Sequence, residues 1–160
     1  MVNTKNKSNR NVVYLSREKI KELQNRLDEL INVKRKELAD KLDWYRKSNE
    51  DDGDTGYAEV LMEKENLELE IAKLEDLLAR AKVRRKSKSN IVQLGSTVTV
   101  KVGNKEESFT IVEPIEADPV SRKLSKDSPV GQALLGAKVG DIVKVVTPVA
   151  KTKYKIIDIK

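Results

Sequence analysis

The 160-residue chain has no cysteine and no histidine. The first absence excludes disulfides, thiol nucleophiles and Cys-based metal sites. The second removes the commonest general base, the orienting member of a hydrolytic triad and the usual transition-metal ligand. Any chemistry must therefore run through carboxylates. Aromatic residues are scarce as well: one Trp, one Phe and four Tyr. No apolar run approaches the roughly 18 residues that a membrane span needs, and the N-terminus lacks the apolar core of a signal peptide. The expectation is a cytoplasmic protein with no membrane partner.

What the chain has instead is charge. Asp, Glu, Lys and Arg make up 36% of it, with a net charge of +6, a balance that favours long exposed helices over a thick globule. Residues 1–90 hold 21 Lys/Arg against 18 Asp/Glu, and residues 91–160 hold 11 against 8. Each part thus carries +3, and neither is basic enough to require DNA binding. Local clustering carries the information.

Residues 1–12 are polar and aperiodic and read as a disordered arm. Ser16 is an N-cap candidate, with Glu18 in the first turn. From Arg17 to Lys47 there is no Gly or Pro. Apolar residues fall at Ile20, Leu23, Leu27, Leu30 and Ile31, then at Leu38, Leu42 and Tyr45. The stripe moves over by one residue at Leu30/Ile31, as at a coiled-coil stutter. Lys34, Arg35 and Lys36 beside it read as a charged outer face, with a phosphate site as the alternative. Tyr57, Val60, Lys64, Leu67, Ile71, Leu74, Leu78 and Ala81 keep an unbroken three-four spacing, the seam of a helix packed on one partner. Residues 13–86 are therefore expected to form an antiparallel coiled-coil hairpin with its turn at 48–56. Arg84 to Asn90 reads as a linker, and the domain boundary is placed at residues 86–91.

Beyond the linker (87–91) the pattern changes to alternation. Val98, Val100 and Val102 mark a half-buried strand, Gly103-Asn104 a turn, and Phe109 to Val112 a returning strand stopped by Pro114. Ser128-Pro129 has the form of an N-cap followed by Pro at the first helical position, and a short helix ends at Gly136. Residues 142–146 and 154–159 supply two more strands. The fold class is α+β: a helical hairpin, then an antiparallel sheet with one short helix over residues 92–160.

The turn places Glu50, Asp51, Asp52 and Asp54 within five positions. Four like charges repel, so the turn is either solvated or meets a cation. A calcium loop beginning at Ser48 matches only in part, since it lacks the first Asp. Trp44, just before the turn and off the seam, reads as packing, with nucleotide stacking as the alternative.

The run from Asp127 to Gly136, followed by Val139 to Val143 and Thr147-Pro148, resembles the C-terminal motif of bacterial Gre transcription elongation factors. That motif orders a Ser-Pro, a Leu-Leu-Gly, a Gly-Asp-x-Val and a Thr-Pro in the same way. The charged helix opened by Tyr14-Leu15-Ser16 and the run from Leu74 to Ala81 are similar too, so the resemblance spans residues 13–159. It implies an FKBP-like C-terminal domain that docks on RNA polymerase, with Asp118, Pro119, Ser125, Ser128 and Pro129 as binding residues. It also implies a coiled coil entering the polymerase secondary channel, and a protein that modulates the polymerase and is not itself an enzyme. Cleavage-stimulating members help hold a Mg²⁺ of the polymerase and orient a water through tip carboxylates, so that backtracked RNA is cut. Here Glu50, Asp51 and Asp54 would share that metal, none being bound by the chain alone. Basic residues would meet the nascent RNA 3′ end, and the chain would be a monomer. Cleavage factors carry an Asp and a Glu three residues apart; aligned through Tyr57, these fall on Glu50 and Gly53. An Asp-rich tip followed by Thr55-Gly56 is closer to the inhibitory homologues, so channel occlusion stands as the alternative activity, with a structural coiled-coil adaptor as the remaining one.

Overall fold

The computed structural model describes residues 11–48 and 53–160, with side chains described from Thr55 onward on the far side of the gap. The arm at 1–10 and the tip residues Glu50, Asp51 and Asp52 lie outside the described residues. Two compact units divide the chain: Met1–Val13 with Arg17–Ala81, and Tyr14–Ser16 with Lys82–Lys160.

The first unit is a helical hairpin. Helix α1 (Arg17–Glu29) passes through a π-helical segment (Leu30–Lys34) into α2 (Arg35–Lys47), and both pack on α3 (Gly53–Arg80). The π segment lies where the apolar stripe shifts. One extra residue in the turn moves the following residues round the axis, so Leu38 and Leu42 return to the seam. Leu30, Leu38, Leu42, Val60, Leu67 and Ile71 are buried together, with Leu27, Tyr45, Tyr57 and Leu74 packed against them. Each contributes on the order of 1.5–3 kcal/mol when fully buried. Helix α3, with 28 residues, is about 42 Å long.

Three sequence expectations change in this unit. Gly53 to Gly56 are helical, so the connection between α2 and α3 is shorter than the expected turn at 48–56. Trp44 is 63% exposed, not packed in the seam, and stands edge-on to Tyr45 with ring centroids 4.9 Å apart. The one-residue shift explains this, since an unshifted stripe would bring position 44 inward and turn 45 out. Ala81 leaves the helix and begins β2 (Ala81–Val83), which pairs with β1 (Val13–Leu15).

The second unit carries a sheet of order β5-β4-β3-β7-β6 among the described residues. Strands β3 (Thr97–Val102) and β4 (Lys105–Val112) form a hairpin through Gly103-Asn104, where Gly103 has φ 61°. Strands β6 (Ile142–Val146) and β7 (Lys151–Ile159) form another, and β7 pairs antiparallel with β3. The sheet is mixed, not wholly antiparallel, because β5 (Lys123–Ser125), within a stretch that shows no periodicity, runs parallel to β4. Helix α4 (Pro129–Leu134) starts as the sequence predicts: Ser128 Oγ accepts from the Gly131 N–H, and Pro129 opens the helix. Val98, Val100, Ile111, Leu134 and Ile156 are fully buried in the core.

The contact boundary falls at Ala81/Lys82, ahead of the linker expected at 87–91. The Arg84 N–H donates to the Leu15 carbonyl (2.7 Å), and Ile91 forms a β-bridge with Lys138.

Candidate functional site

In sequence the acidic tip lies between the end of α2 and the start of α3. Helix α2 stops because Ser48 takes an extended conformation (φ −82°, ψ 102°), with its N–H and Oγ both donating to the Trp44 carbonyl at 3.0 and 2.8 Å. In sequence Asp54 falls within the first turn of α3. The calcium loop, which the sequence matches only in part, does not fit this helix, because ligand positions that such a loop needs in open backbone fall inside α3.

Close packing fixes the helix ends behind the tip. A Cβ at Gly56 would lie 2.6–2.8 Å from the Tyr45 ring, so Gly56 lets the ring approach α3. An open groove beside it is lined by Lys41, Trp44, Gly56 and Glu59. Farther along, Arg35 clasps Glu68 with two hydrogen bonds (2.9 and 2.7 Å), and Arg26 reaches Glu70 at 3.1 Å. The hydrogen bond to Arg35 holds Glu68 below the usual carboxylate range. Lys34 pairs with Glu37. Lys34 and Arg35 are thus occupied by carboxylates and belong to a charged outer face.

The residues expected to dock in the second unit build two turns. Asp118 accepts from the Val120 N–H (3.0 Å) and from Ser121 Oγ, and exchanges backbone hydrogen bonds with Lys123. The Ser121 hydroxyl and Val120 amide depress its pKa. This turn holds Val120 94% exposed. At the other end of β5, Ser128 Oγ donates to the Ser125 carbonyl (2.7 Å), and the Asp127 N–H donates to Ser125 Oγ. A Cβ at Gly131 would fall 2.1 Å from that carbonyl, so the turn requires glycine there. Ser125, Ser128 and Pro129 come together; Asp118 and Pro119 belong to the separate turn that leads into β5.

One cluster is invisible in the sequence. Glu116, in the turn after Pro114, is buried, and its side chain is 3% exposed. It accepts from the Ser16 N–H and Oγ and pairs with Arg84 at 2.7 Å. Arg84, expected in a linker, is instead the half-buried cation paired with buried Glu116. Burial pushes Glu116 up, but the Ser16 and Arg84 hydrogen bonds outweigh it, and the pKa falls below the ordinary 4.5. Arg84 also lies against Gly95, whose φ of 90° and missing Cβ give it room.

Fold and tip together define a two-part α+β protein with an acidic helical hairpin. Residues 13–83 match the family model described as transcription elongation factor, N-terminal, and residues 86–160 match that of transcription elongation factor GreA/GreB, C-terminal. Transcription elongation factor GreA of Thermoanaerobacter pseudethanolicus is 40% identical over 152 residues, covering 92% of this chain and 97% of that protein. GreA of Clostridium acetobutylicum is 38% identical over 145 residues, covering 88% and 92%. Among solved structures, GreA factor homolog 1 (Gfh1) of Thermus thermophilus is 30% identical, with 94% of this chain and 99% of that one covered and a TM-score of 0.45. The chain belongs to the GreA/GreB family of transcription elongation factors.

Proposed function

We propose that this chain is a regulator of RNA polymerase, an accessory protein and not an enzyme, whose acidic tip enters the secondary channel and stimulates cleavage of backtracked RNA. The observation that carries this reading is the end-to-end similarity to relatives named transcription elongation factor GreA. The hairpin supports it, since α3 is about 42 Å long and the sequence between α2 and α3 carries Glu50, Asp51 and Asp52, followed by Asp54. Carboxylate oxygens are the donors that a hard Mg²⁺ prefers. When shared with the polymerase, that ion would polarise a phosphoryl oxygen and activate water. Glu50, Asp51 and Asp54 would hold it and position the water, while Asp52 adds negative potential. The second unit, an FKBP-like domain in this reading, docks on the polymerase through Asp118, Pro119, Ser125, Ser128 and Pro129. The protein works as a cytoplasmic monomer, with basic residues near the RNA 3′ end.

Gly53 favours a second activity, because it stands where a cleavage factor has Glu. In that case the tip occupies the channel and slows transcription without orienting the water. Stalled elongation complexes separate the two: a cleavage factor shortens the RNA, whereas an inhibitor slows extension and leaves its length unchanged. Replacing Glu50, Asp51, Asp52 and Asp54 by Ala should abolish either effect. An undiminished effect in that variant would refute the role of the tip.

A further inference from the structure

The outward face of the second unit's sheet carries a lysine array that neither the core nor the tip uses. Register places Lys101 opposite Lys155 and Lys144 opposite Lys153, with Lys151 two residues before Lys153 on β7. All five are exposed, and none makes an ion pair among the described residues. Two acids share this face, Glu106 opposite Lys101 and Asp158 opposite Thr99, the latter paired with Lys160 at 3.9 Å. Like charges directly opposite on neighbouring strands destabilise a sheet. Two such pairs on one small sheet therefore point to an anionic ligand outside the chain.

The rest of the face narrows the chemistry of that ligand. Along β7 the lysines recur every second residue, about 6.8 Å apart, a repeat of the order of the step between successive phosphates of a nucleic-acid strand. Phe109 and Tyr154 both pack against the core, so this face has no aromatic platform on which single-stranded bases could stack. Its hydroxyls are engaged with one another, Thr97 with Thr110 at 3.0 Å and Thr99 with Ser108 at 2.9 Å, which leaves them poorly placed to read a ribose 2′-hydroxyl. What remains is charge at regular spacing, with the exposed Ile142 and Val146 opposite Lys155 and Lys151 at its border. We infer that this face is a sequence-independent contact surface for the phosphate backbone of duplex DNA, with Lys144, Lys153 and Lys155 at its centre.

The test uses the full chain and a labelled DNA duplex of arbitrary sequence, titrated without polymerase from about 50 to 200 mM salt. It can therefore fail or succeed separately from the polymerase reading. Substituting Lys144→Gln, Lys153→Gln and Lys155→Gln together should lower the slope of log K against log salt by about 2.7 and weaken binding at least about ten-fold at the low-salt end. Lys→Arg at the same positions should keep the affinity. A control with equal charge loss on the hairpin, Lys21→Gln, Lys47→Gln and Lys73→Gln, should leave the slope unchanged. The sheet triple should melt no lower than the wild type, since it removes repulsion. The inference is overturned if the wild type does not bind the duplex, if both triples weaken binding equally, or if the sheet triple melts lower. It is likewise overturned if single-stranded nucleic acid or polyglutamate competes better than duplex.

Discussion

At the scale of single residues, Glu116 is where the second unit is most sensitive. Truncation to Ala would leave Arg84 without its counter-charge and the Ser16 donors without their acceptor. Because Arg84 keeps partial access to water, the expected cost is about 1–3 kcal/mol, read from the shift in denaturant midpoint. The pH dependence has a definite sign. Because the folded pKa of Glu116 lies below 4.5, its contribution is complete above that pH and is lost as pH falls through the depressed value. Wild-type stability should therefore drop more steeply below about pH 4.5 than that of Glu116→Gln, as acid titrations of the two would show. Gly95→Ala attacks the same cluster from another side. It strains a residue at φ 90° and displaces Arg84, for about 1–3 kcal/mol. Both changes sever one contact, so the double variant should lose less than the sum of the singles. None of this is legible in sequence, because Ser16, Arg84 and Glu116 are separated by 32 and 100 positions.

At the scale of elements, the π segment shows how a sequence irregularity becomes geometry. The stripe shift at Leu30/Ile31 is visible in the sequence, but a stutter and a π turn both produce it. Backbone hydrogen bonding decides between them, and residue identity alone does not report it. Deleting the exposed Val33 should convert Leu30–Lys34 to regular α-helix with Leu38 and Leu42 still on the seam. Far-UV circular dichroism should then show unchanged helix content, and the melting temperature should hold or rise. Deleting Lys73 from α3, where no such slack exists, would rotate the rest of that seam by about 100° and should lower the melting temperature sharply. Strand β5 is the opposite case. Three residues without alternation are too short to read, and parallel pairing with β4 is what makes them a strand.

At the scale of the whole molecule, fold stability and function should separate at the tip. Four like charges within five positions repel, so removing them is expected to cost the fold little. The tip quadruple-Ala variant should stay within about 0.5 kcal/mol of wild type in a thermal melt while losing its effect on stalled polymerase. The sequence by itself determined the two-part organisation, the hairpin seam, the strands around Val98 to Val112, the Ser128-Pro129 helix start and the family. These features rest on local periodicity, capping and motif order, which are written along the chain. Tertiary structure alone decided that Trp44 faces solvent, that Arg84 is the half-buried partner of Glu116 and not a linker residue, and that five lysines share one sheet face. Each depends on which distant segments meet, and that is settled by pairing register and packing between residues far apart in the chain.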